Sequence, residues 1–409
     1  MNDRQFNRFV AITCAVTVFA TAGLFGYRYH LDKTSADTIV QISETQESES
    51  AEQETEPEKT NETEAETEPQ PTVQTASLFM VGDAVLHAGI ETNAANGDGT
   101  YTFTLLDRIG KIARQYDLRY YNQETILGGN DLGIQGYPTF NGVTEWGDYM
   151  ISQGFNMVSL ANNHALDQGE RGIKNSLAYW NSHSEIITSG TYLSQEDYDA
   201  IPIHEINGIS FAFISYTYGT NGIDPPAGKD YLVACYDGRV DELLQKVRAA
   251  KQKADVVIVA MHWGREYQTE PSEQQKTLAR QLSDAGADII IGNHPHCIQP
   301  VEWINDRTIC FYALGNIVAI QYDLSRIEMM AGLTIQKTTQ PDGTVEISLQ
   351  DIHADLMYFY YTEDTLAEYD VIPFSQLDEA HLPNYQAVYE KYKPIITQMS
   401  DVVTVGGFG

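Results

Sequence analysis

From Ala76 onward, short apolar runs rich in Val, Ile, Phe and Met alternate with segments whose apolar residues recur at helical spacing. The runs at 77–82, 156–161, 209–216, 255–261, 287–291 and 308–314 predict strands. Helical spacing predicts helices over 144–153, 169–182, 237–253 and 273–285. After Met330 the helical pattern stops, and 332–337 with 344–350 around Pro341-Asp342-Gly343 predicts a β-hairpin. Strand–helix alternation followed by antiparallel strands points to an α/β sandwich rather than a simple doubly wound sheet. No internal repeat is visible.

Ahead of Ala76 the pattern differs. Arg4 and Arg8 precede an apolar run at 9–27 that holds no charge until Arg28. Its length reaches the short end of a membrane-spanning helix, and the flanking charges put the N-terminus inside and the rest outside. Ala20-Thr21-Ala22 also has the form of a signal-peptide cleavage site. The uncleaved anchor is the preferred reading, because the apolar run continues through Gly23-Leu24-Phe25. Residues 43–70 hold eleven Glu and a single Lys59 among Thr, Ser, Gln and Pro, which cannot bury enough apolar surface to fold. The expected organisation is a cytoplasmic N-terminus at 1–8, a transmembrane anchor at 9–27, a disordered acidic linker at 28–75 and a globular domain at 76–409. The expected location is the cell membrane, single-pass, with the domain extracellular.

Charge narrows the partners. The chain carries 57 acidic against 25 basic residues, a net charge of -32, which argues against nucleic acid as a partner. A polyanionic substrate would need local positive charge, and bound metal is the obvious source. Four cysteines are too few for a disulfide framework. Cys235, Cys297 and Cys310 lack CxxC spacing, so free buried thiols are expected.

The candidate chemistry lies at strand ends. Asp83, the pair Asn163-His164, His262 and the triplet His294-Pro295-His296 each fall just beyond a predicted strand's C-terminal end, the edge where open α/β sheets bind ligands. Clustered His, Asn and carboxylate side chains there read as a metal site. In an extended triplet both imidazoles would face one cavity, and Pro295 biases His294 toward the extended region. Asn163 can offer its amide oxygen to a metal while His164 points elsewhere, free for proton transfer. Asp167 could bond the far ring nitrogen of His164. It could equally be an N-cap, with Glu170 completing a capping box.

These blocks, in this order, resemble the calcineurin-like metallophosphoesterases, with the Asn-His-x-x-Asp spacing closest to the 5′-nucleotidase branch. A narrower resemblance, over about residues 77 to 320, is to the CapA family of poly-γ-glutamate capsule biosynthesis proteins. It rests on Val81-Gly82-Asp83, Asn122-Gln123-Glu124, the run from Ala161 to Asp167, His262-Trp263-Gly264-Arg265-Glu266-Tyr267, Ala285-Gly286-Ala287-Asp288, the run from Gly292 to His296, and Leu314-Gly315-Asn316. The resemblance implies a four-layer α/β/β/α sandwich with metal ligands Asp83, Glu124, Asn163, His262, His294 and His296. It implies His164 as acid or substrate-side donor, supported by Asp167. Candidate substrate contacts are Asn162, Arg265, Glu266 and Asn316. Two departures stand out. Val85 occupies the place of the second ligand in the Asp-x-His block, with His87 two residues on, and Glu124 stands where a bridging Asp is expected.

A ligand set of N and O donors without thiolate suits one or two divalent transition ions, manganese, iron or zinc. The chain has no GxxxxGK[ST] loop for ATP-driven polymerisation. The expectation is therefore a membrane-anchored extracellular component of poly-γ-glutamate synthesis, export or anchoring, partnered by the polymer and membrane-bound synthase subunits. As an enzyme it would be a hydrolase or transferase acting on amide bonds or phosphoesters. The alternatives are a cell-surface phosphoesterase and a non-catalytic binding subunit.

Overall fold

The computed structural model describes residues 70–321, 326–362, 366 and 368–408. Strand β1 (Thr72–Ala84) sets the layering. Leu78 and Met80 point to one side of the pleat, Phe79 and Val81 to the other. All four are fully buried, so both faces of the sheet are covered. The remaining strands are β2 (Leu118–Gln123), β3 (Met157–Ser159), β4 (Ile187–Ser189), β5 (Ile203–Ile206), β6 (Ile209–Thr217), β7 (Val256–His262), β8 (Ile289–Asn293), β9 (Ile298–Ile304), β10 (Thr308–Leu314), β11 (Asn316–Val318), β12 (Ile327–Thr339), β13 (Val345–Tyr361), β14 (Tyr369–Pro373) and β15 (Thr404–Val405).

Among the described residues these strands form two sheets. The first runs β14-β13-β12-β1-β2-β3-β4, with β11 beside β1 and β15 beside β13. Its β1-β2-β3-β4 half is parallel and its β12-β13-β14 arm antiparallel. The second runs β5-β6-β7-β8-β10-β9, parallel from β6 to β10 with antiparallel edges. Met80, Tyr120, Phe213, Ile258, Ile291 and Phe311 fill the space between the sheets. Trp146, Met150, Ile173 and Leu177, from helices Thr144–Ser152 and Gly169–Trp180, pack on the outer face of the first sheet. Leu243, Val247, Leu278 and Leu282, from Val240–Lys251 and Glu273–Ala285, cover the second. This is the expected α/β/β/α sandwich.

The expectation of a transmembrane helix, and with it a single-pass membrane topology with the membrane as partner, is corrected. Among the described residues no helix is long and apolar enough to cross a membrane. The 13-residue helix Glu273–Ala285 reaches only about 20 Å at 1.5 Å per residue, short of the roughly 30 Å hydrocarbon core. The segment at 9–27, where the anchor was expected, and residues 28–69 of the linker expected at 28–75 lie outside the described residues. Residues 72–75 are not linker but the start of β1, paired with β12.

Two local readings also change. The expected hairpin is the end of a much longer ladder, paired from Thr339↔Val345 back to Ile327↔Tyr358. Strand β2, unread in the pattern because Arg119 and Asn122 interrupt its apolar run, lies next to β1 in the sheet. The three described cysteines, Cys235, Cys297 and Cys310, are free thiols; Cys297 and Cys310 are buried as expected, whereas Cys235 is only partly so.

Candidate metal centre

Parallel pairing aligns strand ends, and here it aligns them from two sheets. β1 delivers Asp83, and the residue after β2 is Glu124. The turn after β3 delivers Asn162 to Asp167, while β7 and β8 deliver His262 and the 294–296 triplet. The sheets meet where the Asp83 Oδ2 accepts the His294 backbone N–H at 2.9 Å. Asp83, Glu124, Asn163, His262, His294 and His296 are all nearly or wholly inaccessible to solvent.

Glu124 is the focus. Its Oε1 lies 3.7 Å from both His262 Nε2 and His296 Nε2. Two groups of ligand atoms, each within 4.8 Å of one another, share it: Glu124 with His294 and His296, and Asp83 with Glu124 and His262. Asn163 Oδ1 is 2.8 Å from His262 Nε2, so the amide oxygen faces the same point. Asn122 Nδ2 donates to Asp83 Oδ1 at 2.8 Å and fixes that carboxylate's roll.

Burial sets the protonation states. It pushes the Asp83 and Glu124 carboxyls up, with the Asp83, Glu266 and Asp167 carboxylates raising the Glu124 value further. It lowers the imidazoles, His294 to about 3 and His296 to about 4, with His262 also held down. The three rings are thus neutral and carry lone pairs. Both Glu124 oxygens and His294 Nδ1 are buried with no hydrogen-bond partner among the described residues. Unsatisfied groups of this kind are costly, and a cation satisfies all of them at once. The clustered His, Glu and Asp side chains are capable of coordinating one or two divalent ions.

The triplet reaches this geometry by a different route from the one expected. His294 and His296 are not extended: their φ angles are 95° and 51°. Such values strain a residue with a Cβ, and the bond from His294 N–H to Asp83 helps hold the turn. Gly292, ahead of the triplet, has a steric role. A Cβ there would sit 1.9 Å from the Tyr312 carbonyl oxygen, so it permits β8 and β10 to approach.

His164 and Asp167 form a dyad. His164 Nδ1 is 2.7 Å from Asp167 Oδ2, which also accepts the Phe140 backbone N–H at 2.6 Å. The Phe140 ring meets the imidazole edge-on at 4.7 Å. Asp167 is not the N-cap of the following helix, a position held by Gln168 without a side-chain capping bond. Its carboxylate is therefore committed to His164 and to the 140 loop.

The other candidates divide. Asn162 is buried, its amide donating to Gln123 O and accepting from His164 N, so it shapes the turn. Asn316 is buried and its Oδ1 lies 2.9 Å from His296 Nδ1. Arg265 and Glu266 are exposed on the loop after β7. Val85 packs against Phe140 and Ala319. His87 belongs to neither ligand group, and its Nδ1 accepts from Ile320 N at 3.2 Å. Tyr218 and Asn221 carry no motif and were not read from the pattern. The Tyr218 ring packs 4.8 Å from that of His294, and the Asn221 Oδ1 accepts from Asn163 Nδ2 at 3.2 Å.

Residues 77–321 match the family model described as Bacterial capsule synthesis protein PGA_cap. The PGA biosynthesis protein CapA of Bacillus subtilis (strain 168) is 33% identical over 202 residues, 49% of this chain and 51% of that protein. The capsule biosynthesis protein CapA of Bacillus anthracis is 33% identical over 168 residues, 40% of each chain. The chain thus spans about half the length of the curated relatives it matches. Among solved structures, the NAD nucleotidase (NadN) of Haemophilus influenzae aligns with TM-score 0.42 and 14% identity, covering 82% of this chain and 64% of that one. With more than half of its 409 residues under the family model, the chain belongs to the bacterial capsule synthesis protein family PGA_cap.

Proposed function

We propose that this chain is a metal-dependent phosphoesterase that works beside the machinery making poly-γ-glutamate. The observation that carries the reading is Glu124, buried, without a hydrogen bond among the described residues, and shared by both ligand groups. A carboxylate so placed fits a site for one or two divalent ions, which would supply the charge that metal-assisted phosphoryl chemistry needs. The expectation of a membrane-anchored component for polymer synthesis, export or anchoring is set aside, since no described helix can span a membrane. Family membership supports the association with polymer and synthase.

Bound ions would supply Lewis-acid charge and acidify water. The protein's own residues do the rest. Asp83, Glu124, His262, His294 and His296 would hold the ions, with the Asn163 amide oxygen facing the same point. Asp167 accepts from His164 Nδ1, orients the ring and supports its doubly protonated form, whose Nε2–H would pass its proton to the leaving oxygen and leave the ring neutral. Tyr218 and Asn221 wall the site on the side of His294 and Asn163.

The test is phosphate release by the full-length protein from p-nitrophenyl phosphate, its bis-ester and nucleoside monophosphates, with manganese, iron or zinc. The expected outcome is metal-dependent turnover that Glu124→Gln removes. A wild type that holds stoichiometric metal yet hydrolyses none of these esters would overturn the reading in favour of a binding subunit.

A further inference from the structure

The geometry points to Glu328, on β12, as the positioning residue that fixes the tautomer of His296 through Asn316. Glu328 is fully buried. Its Oε2 accepts the Asn316 backbone N–H at 2.6 Å, and its Oε1 accepts Asn316 Nδ2 at 3.0 Å. The fold makes room for it: at Gly315, φ 76°, a Cβ would sit 1.9 Å from Glu328 Oε2.

The consequence follows from donor and acceptor inventories. The side-chain nitrogen of Asn316 faces two acceptors, Glu328 Oε1 at 3.0 Å and the His296 backbone carbonyl at 3.5 Å, and a carbonyl oxygen can only accept. The amide oxygen is then turned to His296 Nδ1, 2.9 Å away. An oxygen there requires Nδ1 to carry the proton. That leaves Nε2 with its lone pair directed at Glu124, 3.7 Å away. A chain of carboxylate, amide and imidazole thus sets which nitrogen can ligate, and outer partners of this kind tune metal affinity. The role of His296 as a ligand rests on the function proposed above; the role of Glu328 in choosing the tautomer does not.

Glu328→Gln tests the chain with little change of shape. The introduced Nε2 can donate to Asn316, letting that amide flip and present its nitrogen to His296, which inverts the tautomer. The full-length variant should bind zinc roughly 10–100-fold more weakly, with its melting temperature in chelator near that of the wild type. Glu328→Gln combined with Asn316→Asp restores an acceptor opposite His296 and should recover most of the affinity. Long-range ¹⁵N correlation spectra of the metal-free wild type should show His296 protonated at Nδ1. A metal-free wild type protonated at Nε2 overturns the inference, whether or not the variants fold. So does a folded Glu328→Gln protein with unchanged tautomer and zinc affinity. A wild type that binds no zinc but shows the Nδ1–H tautomer counts against the metal-dependent function and supports the relay.

Discussion

At the scale of single residues, a site is legible in sequence where it sits on consecutive positions, and hidden where sheet pairing builds it. Asp83, Glu124, Asn163, His262, His294 and His296 all close or follow strands, and each falls in a short motif. Glu328 is twelve residues beyond Asn316 on an antiparallel strand, with no spacing rule to mark it. Tyr218 and Asn221 reach the centre because β6 lies beside β7. The dyad yields a prediction that separates chemistry from structure. His164→Ala should lower turnover by about 10²–10⁴-fold, the range for a general acid or base, with metal content near that of wild type. Asp167→Asn keeps an acceptor for the Phe140 N–H but removes the charge beside the imidazole. It should cut kcat more than KM, with little change in melting temperature. Steady-state kinetics and metal analysis on the two variants check this; metal loss in His164→Ala would make the residue a structural support instead.

At the scale of elements, helix bounds followed apolar spacing closely, whereas contacts between helices depend on buried polar groups that periodicity does not reveal. Helix Glu273–Ala285 shows the first case, since its predicted and observed bounds coincide. Its Ser272 caps it through a reciprocal box with Gln275. Ser272→Ala should cost about 1 kcal/mol in urea unfolding and leave zinc affinity unchanged, because the side chains of Ser272 and Gln275 bond each other and Gln299 rather than a ligand residue. Glu91 shows the second case. It lies in helix Ala88–Ala94, is fully buried, and accepts the Val143 N–H at 2.9 Å, tying its helix to the start of Thr144–Ser152. Burial, with Glu145 nearby, pushes its carboxyl from 4.5 up to about 7. Between those values the folded chain holds this proton more often than the unfolded chain. Its contribution is therefore full below pH 4.5 and is lost as pH rises through about 7. Glu91→Gln is neutral at every pH and preserves the acceptor. It should gain about 1–3 kcal/mol over wild type at pH 8 and little at pH 4.5. Urea melts at the two pH values decide, and parallel losses at both would show that Glu91 is needed ionised.

At the scale of the whole molecule, the two sheets pack through an apolar layer but come together at one edge through charged and polar groups. Asp83 and Glu124 belong to the first sheet, His262, His294 and His296 to the second. Without a cation this edge holds buried carboxylate oxygens with no hydrogen-bond partner among the described residues; with one, the same groups become cross-links between sheets. Ion binding should therefore stabilise the entire sandwich rather than one loop. A ligand that binds only the folded state adds about 2.7 kcal/mol at one hundred times its Kd. For a domain of this size that corresponds to a rise in Tm on the order of 5 °C. Calorimetry of the full-length protein should show one domain transition moving upward with zinc or manganese and returning on chelation. The His262→Ala/His294→Ala/His296→Ala variant should melt at the same temperature with metal or chelator. Were the metal to leave the wild-type Tm unmoved while binding stoichiometrically, the ligands would be equally available in the unfolded chain. The cluster would then be no part of what holds the two sheets together.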